Sequence, residues 1–331
     1  TAPWGGRYRA IKNANILLQS LENTGAVTDA QKAGYRGFAR TVIAYELIEI
    51  LKSYDRARVD VADPENLGPI LGFSEALSSV RSLLDNAQSD LNGAGSEFAF
   101  ALAGFSGFDT PATFGEFNRA VAATAAVYAG DGSGALTALS NSYFDLNGDL
   151  TVGPQHVFSL SSGDLTNGLF KIPDNNGDQI IVHDSFINEA EAGDTRVTDK
   201  TIIRANPTTQ DGLTGLYQTG LYVSNVSPID MIRNEELVLV YAEASILTNA
   251  LGDAETALNV IRNSASLPNY GGAIDAAGLT TELLNQRRYS LWCENHRMFD
   301  LRRYNLSNTL PIDRAGDQIF SELPVPLSEN E

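Results

Sequence analysis

The sequence is poor in the residues that most often carry chemistry. Among 331 residues there is one cysteine, Cys293, and there are three histidines, His156, His183 and His296. A single cysteine excludes an intrachain disulfide and a cysteine-based zinc site. The histidines stand far apart in unlike contexts, so a histidine zinc site would require three unrelated segments to converge. There is no Gly-x-Ser-x-Gly elbow, and no phosphate-binding glycine loop followed by Lys-Ser or Lys-Thr. Basic residues are also scarce, 23 against 41 acidic ones, for a formal charge of -18. Such a surface repels phosphate backbones and anionic lipid heads, which excludes nucleic acid as a partner and suits neutral or cationic ligands. No apolar run reaches the length of a membrane span; the most apolar stretch, 237–244, carries Tyr241 and Glu243. The sequence shows no signal peptide, and the start TAPWGGRY reads as a processed or truncated one.

What is present is enough apolar material, 43% of residues, for a sizeable core. Two blocks repeat. Gly130-Asp131 is followed by Ala135-Leu136 and then Ser140, Asn141 and Ser142; Gly252-Asp253 is followed by Ala257-Leu258 and then Arg262, Asn263 and Ser264. Each follows a helix rich in small residues, over 117–129 and 235–250, so each reads as helix, Gly-Asp turn, helix. The pattern is that of tetratricopeptide-like helical hairpins. Helical periodicity adds 7–21, 28–53, 74–92 with Ser74 as N-cap, and 280–296 with Leu291 or Trp292 on its apolar side. The expected fold is mainly α. In one domain, residues 1–141 and 228–305 form the helical scaffold, 142–227 an irregular loop-rich insertion, and 306–331 an extended end with Pro311, Pro324 and Pro326. Short β-like runs stand in the insertion at 156–160, 179–183, 201–204 and 220–223. Loops on a rigid scaffold are where ligand contacts collect.

Three stretches in the last third carry a specific pattern: RNEELVLVYAEASI from Arg233, GDAETALNVIRNSASLP from Gly252, and LLNQRRYSLWCENHRMFDLRRY ending at Tyr304. Arg233, Glu236, Ala242, Glu243, Ala244, Ala257, Leu258, Asn259, Arg262, Arg287, Arg288, Leu291, Glu294, Arg297, Phe299, Asp300 and Leu301 resemble the C-terminal signature of the SusD/RagB family. Asn295 stands where that family usually has glycine, and asparagine is the next-best residue for a left-handed backbone. Tyr8, Ile11, Asn13 to Asn15, Leu18, the stretch from Gly37 to Tyr45, Asp194-Thr195-Arg196 and Leu323-Pro324-Val325-Pro326 agree with the resemblance.

The resemblance implies a helical-hairpin fold with a loop-rich face. It also implies a surface-exposed outer-membrane lipoprotein that captures glycans, or sometimes peptides, for a SusC-like TonB-dependent transporter. The anchoring cysteine is not in this sequence, and on this reading it has been removed along with any contact to the membrane.

The charged signature residues admit a catalytic and a structural reading. Arg287, Arg288, Glu294, Arg297 and Asp300 read as ion pairs that fix helix ends, and Glu236 and Glu243, seven apart on one helix, as partners of arginines or turn amides. Asp145 to Asp149 and Asp174 to Asp178 both alternate oxygen ligands as a calcium loop does. Neither has the glycine at the sixth or the glutamate at the twelfth position; Asp174, Asn176 and Asp178 make the better candidate, and no other cofactor is expected. Cys293 reads as an inert buried thiol in a helix. Sugar rings lie flat against aromatic faces, so loop aromatics are the ligand candidates: Trp4, Tyr54, Phe105, Phe108, Tyr217, Tyr222 and Tyr270. Tyr217 and Tyr222 lead, because Gly212, Gly215 and Gly220 around them expose the backbone.

Three functions compete: non-enzymatic oligosaccharide or peptide capture, a tetratricopeptide-type adaptor that recognises a peptide, and a glycosidase using two carboxylates. The long insertion argues against an adaptor, and no spacing selects a carboxylate pair.

Overall fold

The computed structural model describes residues 2–329. In chain order the elements are α1 (Ala2–Glu22), α2 (Asp29–Tyr54), β1 (Arg56–Arg58), β2 (Ile70–Gly72), α3 (Phe73–Asn92), α4 (Pro111–Tyr128) and α5 (Gly132–Leu139). The insertion follows with β3 (Gln155–His156), α6 (Asp184–Asn188), α7 (Thr195–Lys200), β4 (Thr201–Gln210), β5 (Leu213–Thr219) and β6 (Ile229–Asp230). The chain then returns to helix in α8 (Asn234–Leu247), α9 (Leu251–Ser264), α10 (Ala276–Ser290) and α11 (Arg297–Arg303). Three two-stranded antiparallel ribbons, β1–β2, β3–β6 and β4–β5, are accessories to the helices. None of the described helices is long and apolar enough to cross a membrane.

Local chemistry sets the helix starts. Thr28 and Gln31 form a reciprocal cap on α2, and Thr110 and Thr113 do the same on α4, with Pro111 at the first helical position where no amide hydrogen is required. The helix expected from Ser74 starts a residue earlier. Gly72 occupies its cap position, with no side-chain hydrogen bond.

The hairpins pack through two clusters. One joins α1 to α5 around Ile11, Leu47, Leu77, Leu84, Phe114 and Phe117, and the other joins α9 and α10 around Leu258, Ile261, Leu279 and Leu283. Helix α8 belongs to both: Leu237, Val240 and Ala244 face the first, and Val238, Leu239 and Ala242 the second. A helix apolar on every side is one buried on every side.

The repeated Gly-Asp blocks are not equivalent turns. Gly130 takes the left-handed conformation (φ 74°) and Asp131 caps α5 through Gly134 N, whereas in the second hairpin Asn249 takes that conformation (φ 59°) and Gly252-Asp253 lie inside α9. The sequence repeat is therefore offset by one helical turn from the structural one. In the insertion, 201–204 belongs to β4, but 220–223 is not a strand, 179–183 contributes one bridge, Ile181 to Gln218, and 156–160 only the end of β3. Asp211 and Gly212, both with positive φ, close the β4–β5 hairpin, as the Asp-Gly pair favours.

Gly132 lets α5 meet α8: a Cβ there would stand 2.8 Å from Leu247 Cβ and 2.9 Å from the Ala244 carbonyl oxygen. Gly132→Ala should therefore lower stability by about 1–3 kcal/mol in urea unfolding, because overpacking outweighs the gain in helix propensity. An unchanged midpoint would show that the contact is not tight.

Candidate functional site

The charged residues of the last third form a buried frame. Arg287 Nε donates to Asp300 Oδ2 at 2.7 Å, and both side chains are essentially fully buried. Arg303 bonds the other Asp300 oxygen at 3.1 Å and grips Glu243 of α8 with both terminal nitrogens, while Tyr304 Oη donates to Glu243 at 2.9 Å. Burial alone would raise the Asp300 carboxyl, but the two guanidiniums overcome it and hold it below its ordinary range. Arg233, at the start of α8, donates to Glu294 at 2.6 Å and to the Ser290 carbonyl at 2.7 Å. Arg262 bridges Glu282 at 2.6 Å and Glu191 at 2.7 Å, tying the insertion to the scaffold. Arg196 pairs with Asp194 and reaches Ser290 Oγ at 3.0 Å.

This frame presents an irregular turn. Helix α10 ends at Ser290, not near 296, and residues 291–295 turn with Cys293 (φ 65°) and Asn295 (φ 60°) left-handed. Asn295 thus adopts the backbone expected where its resemblance has glycine, and its amide bonds Glu49 at 3.2 Å and Ser53 at 3.1 Å near the end of α2. Cys293 is half-buried in this turn and outside any helix; burial first, and then Glu294, push its thiol up to about 11, so it stays protonated.

Trp292 leaves the helix with this turn. Its half-buried ring packs 4.9 Å from Phe186 of α6 and lines a surface hollow of about 430 Å³ with Phe186, Arg288, Arg297 and Leu310. A second open hollow of about 600 Å³ adjoins it, lined by Gln179, Ile181, Thr208, Thr214 and Arg314. His183 lines both. The His183 Nδ1 atom accepts from Ser185 N at 3.0 Å, so Nε2 carries the proton and donates to Asp313 Oδ1 at 3.0 Å, joining the two walls. Arg314 donates to the Asp211 carbonyl at 2.6 Å and holds the 309–314 segment against the β4–β5 turn.

The sequence-derived candidates distribute differently. Trp4 and Tyr54 are 2% and 1% exposed and pack on each other, with ring centres 4.9 Å apart. Phe108 is buried against Tyr143, and Phe105 packs on Phe114 and Phe117. These four are core residues, because the helices they flank close over them. Tyr217 packs on the cluster of Val182, Phe186 and Tyr289, behind the wall of the cleft. Gly215 beside it exposes no backbone; a Cβ there would meet Ile181 Cγ2 at 2.2 Å. Tyr222 is half-buried, and burial, followed by Glu294 and Asp230, pushes its phenol up to about 12. Tyr270 packs on the α9–α10 cluster, and its backbone N donates to Asn259 Oδ1 at 2.6 Å.

The loop from Asp174 to Asp178 directs its oxygens at protein donors. Asp174 accepts from Ala205 N at 2.7 Å, Asn176 from Arg204 at 2.6 Å, and Asp178 from Lys171. One oxygen of each of the three residues is thereby engaged by a protein donor. Among the described residues no cluster of three or more His, Cys, Asp or Glu side chains could hold a metal.

Glu243 finds an arginine, as its position suggested, but Glu236 does not. It lines a hollow of about 250 Å³ with Arg7, Glu49, Lys52 and His296. Arg287 donates to His296 Nδ1 at 3.0 Å, which places the ring proton on Nε2, 3.5 Å from Glu236. Burial, Lys52 and Arg287 hold His296 well below its ordinary range, hence neutral. Burial raises the Glu236 carboxyl to about 7, although Lys52 and Arg287 oppose it.

A family model described as the SusD family matches residues 222–321. No curated protein matches the chain by sequence. Among solved structures, surface glycan-binding protein A from Bacteroides thetaiotaomicron superposes with a TM-score of 0.73 at 15% identity, over 99% of this chain and 80% of that one. A SusD superfamily protein from Bacteroides vulgatus gives 0.68 at 16% identity, over 99% and 82%. Surface glycan-binding protein A from Bacteroides uniformis gives 0.63 at 19% identity, over 92% and 74%.

Glu236 generates a pH prediction. Its folded value near 7 exceeds its ordinary 4.5, so the native state holds this proton more tightly than the unfolded chain. The contribution is complete below about pH 4.5 and is lost as pH rises towards 7. Glu236→Gln should remove that loss, so its stability relative to the parent should rise on the order of 3 kcal/mol between pH 4.5 and 8. Parallel urea curves whose separation does not change with pH would contradict the assignment.

Proposed function

We propose, from the match of residues 222–321 to the SusD family, that this chain is a SusD-like surface nutrient-capture subunit that binds oligosaccharides without cleaving them. On this reading it is a lipid-anchored protein of the outer membrane that hands its ligand to a SusC-like TonB-dependent transporter. The observation that carries the reading is the open cleft around His183. One half offers the Trp292 ring and the other amide and hydroxyl groups from Gln179, Thr208 and Thr214. A fixed aromatic face with hydrogen-bonding groups beside it suits a sugar chain. Rigid walls keep the ordering cost low, because α6, α10 and the hairpin are held by the ionic frame and not by the ligand. Structural neighbours named as surface glycan-binding proteins support the same reading. Capture as proposed uses no metal. Tyr222, half-exposed beside Glu294, remains a candidate contact, whereas Tyr217 supports the cleft from behind.

The competing enzymatic reading has one observation in its favour, the Glu236 carboxyl that holds its proton near neutral pH. It lines the smaller hollow and not the cleft, although Cys293, Asn295 and His296 line both. A peptide could occupy the same cleft, and the test includes it.

The test is retention of the purified protein by a panel of polysaccharides and peptides, with product analysis on the same samples. Retention by a glycan without released sugar is expected, and Trp292→Ala should weaken it by about five- to a hundredfold, as the loss of one stacked ring implies (about 1–3 kcal/mol). Sugar release that Glu236→Gln abolishes would replace capture with hydrolysis. Retention by peptides alone would change the ligand class.

A further inference from the structure

The chain's overall charge is strongly negative, yet one part of the cleft is positive. Arg288 and Arg297 both line the hollow at Trp292. Arg288 is half neutralised: it donates to Glu189 at 2.6 Å, a carboxylate left largely in water, and to Ser185 Oγ at 2.9 Å. Arg297 is half-buried and has no ion pair or hydrogen bond among the described residues. The nearby Asp300 is already taken by Arg287 and Arg303. Arg233, Arg262, Arg287 and Arg288, the other signature arginines, all have carboxylate partners, so Arg297 departs from the ion-pairing expected of it. A partly desolvated guanidinium beside a second one is unfavourable until an anion arrives, and a planar fork selects a carboxylate. Its removal from water also makes such a pair stronger than one on an open surface. Burial, and then Arg288, lower the pKa of the Arg297 guanidinium from its ordinary value, in keeping with that deficit, while it stays charged.

We propose that this hollow is the subsite for an acidic sugar residue, with the sugar's carboxylate on Arg297 and its ring against Trp292. The remainder of the glycan continues past His183 into the adjoining hollow. The proposal rests on the capture reading and specifies its ligand: a uronate-bearing glycan. It runs against the expectation from net charge: Glu189 lines the same hollow but is engaged by Arg288, which leaves Arg297 as the cation without a carboxylate partner among the described residues, and acidic groups farther off are screened by salt.

The experiment compares retention by uronate-containing polysaccharides with retention by the same polymers after reduction of their carboxyl groups to alcohols. Dextran sulfate is a third arm. We expect one acidic polymer to be retained at least tenfold more strongly than its reduced form, with the preference shrinking between 50 and 500 mM salt. Arg297→Met should abolish the preference, and Arg297→Lys should keep part of it. Circular dichroism of both variants, and the wild-type salt series, guard against a folding defect. Equal retention of acidic and reduced forms, or a preference that survives Arg297→Met, would overturn the acidic subsite and leave capture standing. Stronger retention by dextran sulfate than by any uronate would overturn the carboxylate assignment. Retention by no polysaccharide would overturn both the subsite and the capture reading.

Discussion

The buried pairing of Arg287 with Asp300, extended by Arg303 to Glu243, is the constraint on which the functional face depends. It joins α10, α11 and α8 at one point inside the protein. Buried charges are costly unless every hydrogen bond is made, and this group comes close to that condition. Removing one member would strand the others in a medium that cannot solvate them. The network therefore acts less as a source of stability than as a device that permits one arrangement of three helices.

From that arrangement the turn at 291–295 follows. With α10 stopped at Ser290 and α11 begun at Arg297, six residues must connect them, and Cys293 and Asn295 accept left-handed backbone to do it. Arg233 and Glu49 hold the turn from two sides, and Arg302 donates to the Leu51 carbonyl at 3.0 Å to fix the end of α2 beneath it. Trp292 and Arg297 are exported to the surface by this geometry. The insertion then supplies the opposite wall through α6 and the β4–β5 hairpin, pinned by Arg262, Arg196 and Arg314.

The helical scaffold was legible because burial imposes a period on sequence: α1, α2, α3 and α9 carry apolar faces at helical spacing, and α8, apolar on every side, is marked by its small residues and the repeated Gly-Asp block after it. The candidate site was not. Periodicity carried the last helix through Leu291 and Trp292 to 296, and so left Trp292 off the list of loop aromatics; the left-handed turn that frees it depends on contacts from α2 and α8. Trp4, Tyr54 and Phe108 failed in the opposite sense, since proximity to a loop says nothing about which way a ring faces. The β4–β5 hairpin had a readable signal in Asp211-Gly212 between strand-forming residues. His183 with Asp313 had none, being 130 residues apart. The unpaired state of Arg297 is likewise a property of the assembled neighbourhood.

The account makes the functional face a cleft between the insertion, the 291–298 turn and the 309–314 segment. Amide hydrogen exchange with and without a retained glycan tests that location directly. Slower exchange on binding is predicted in 181–189, 291–298 and 309–314, with the N-terminal hairpins unchanged. Protection confined to α1 to α4, with those three segments unaffected, would contradict it and move the ligand to the helical surface.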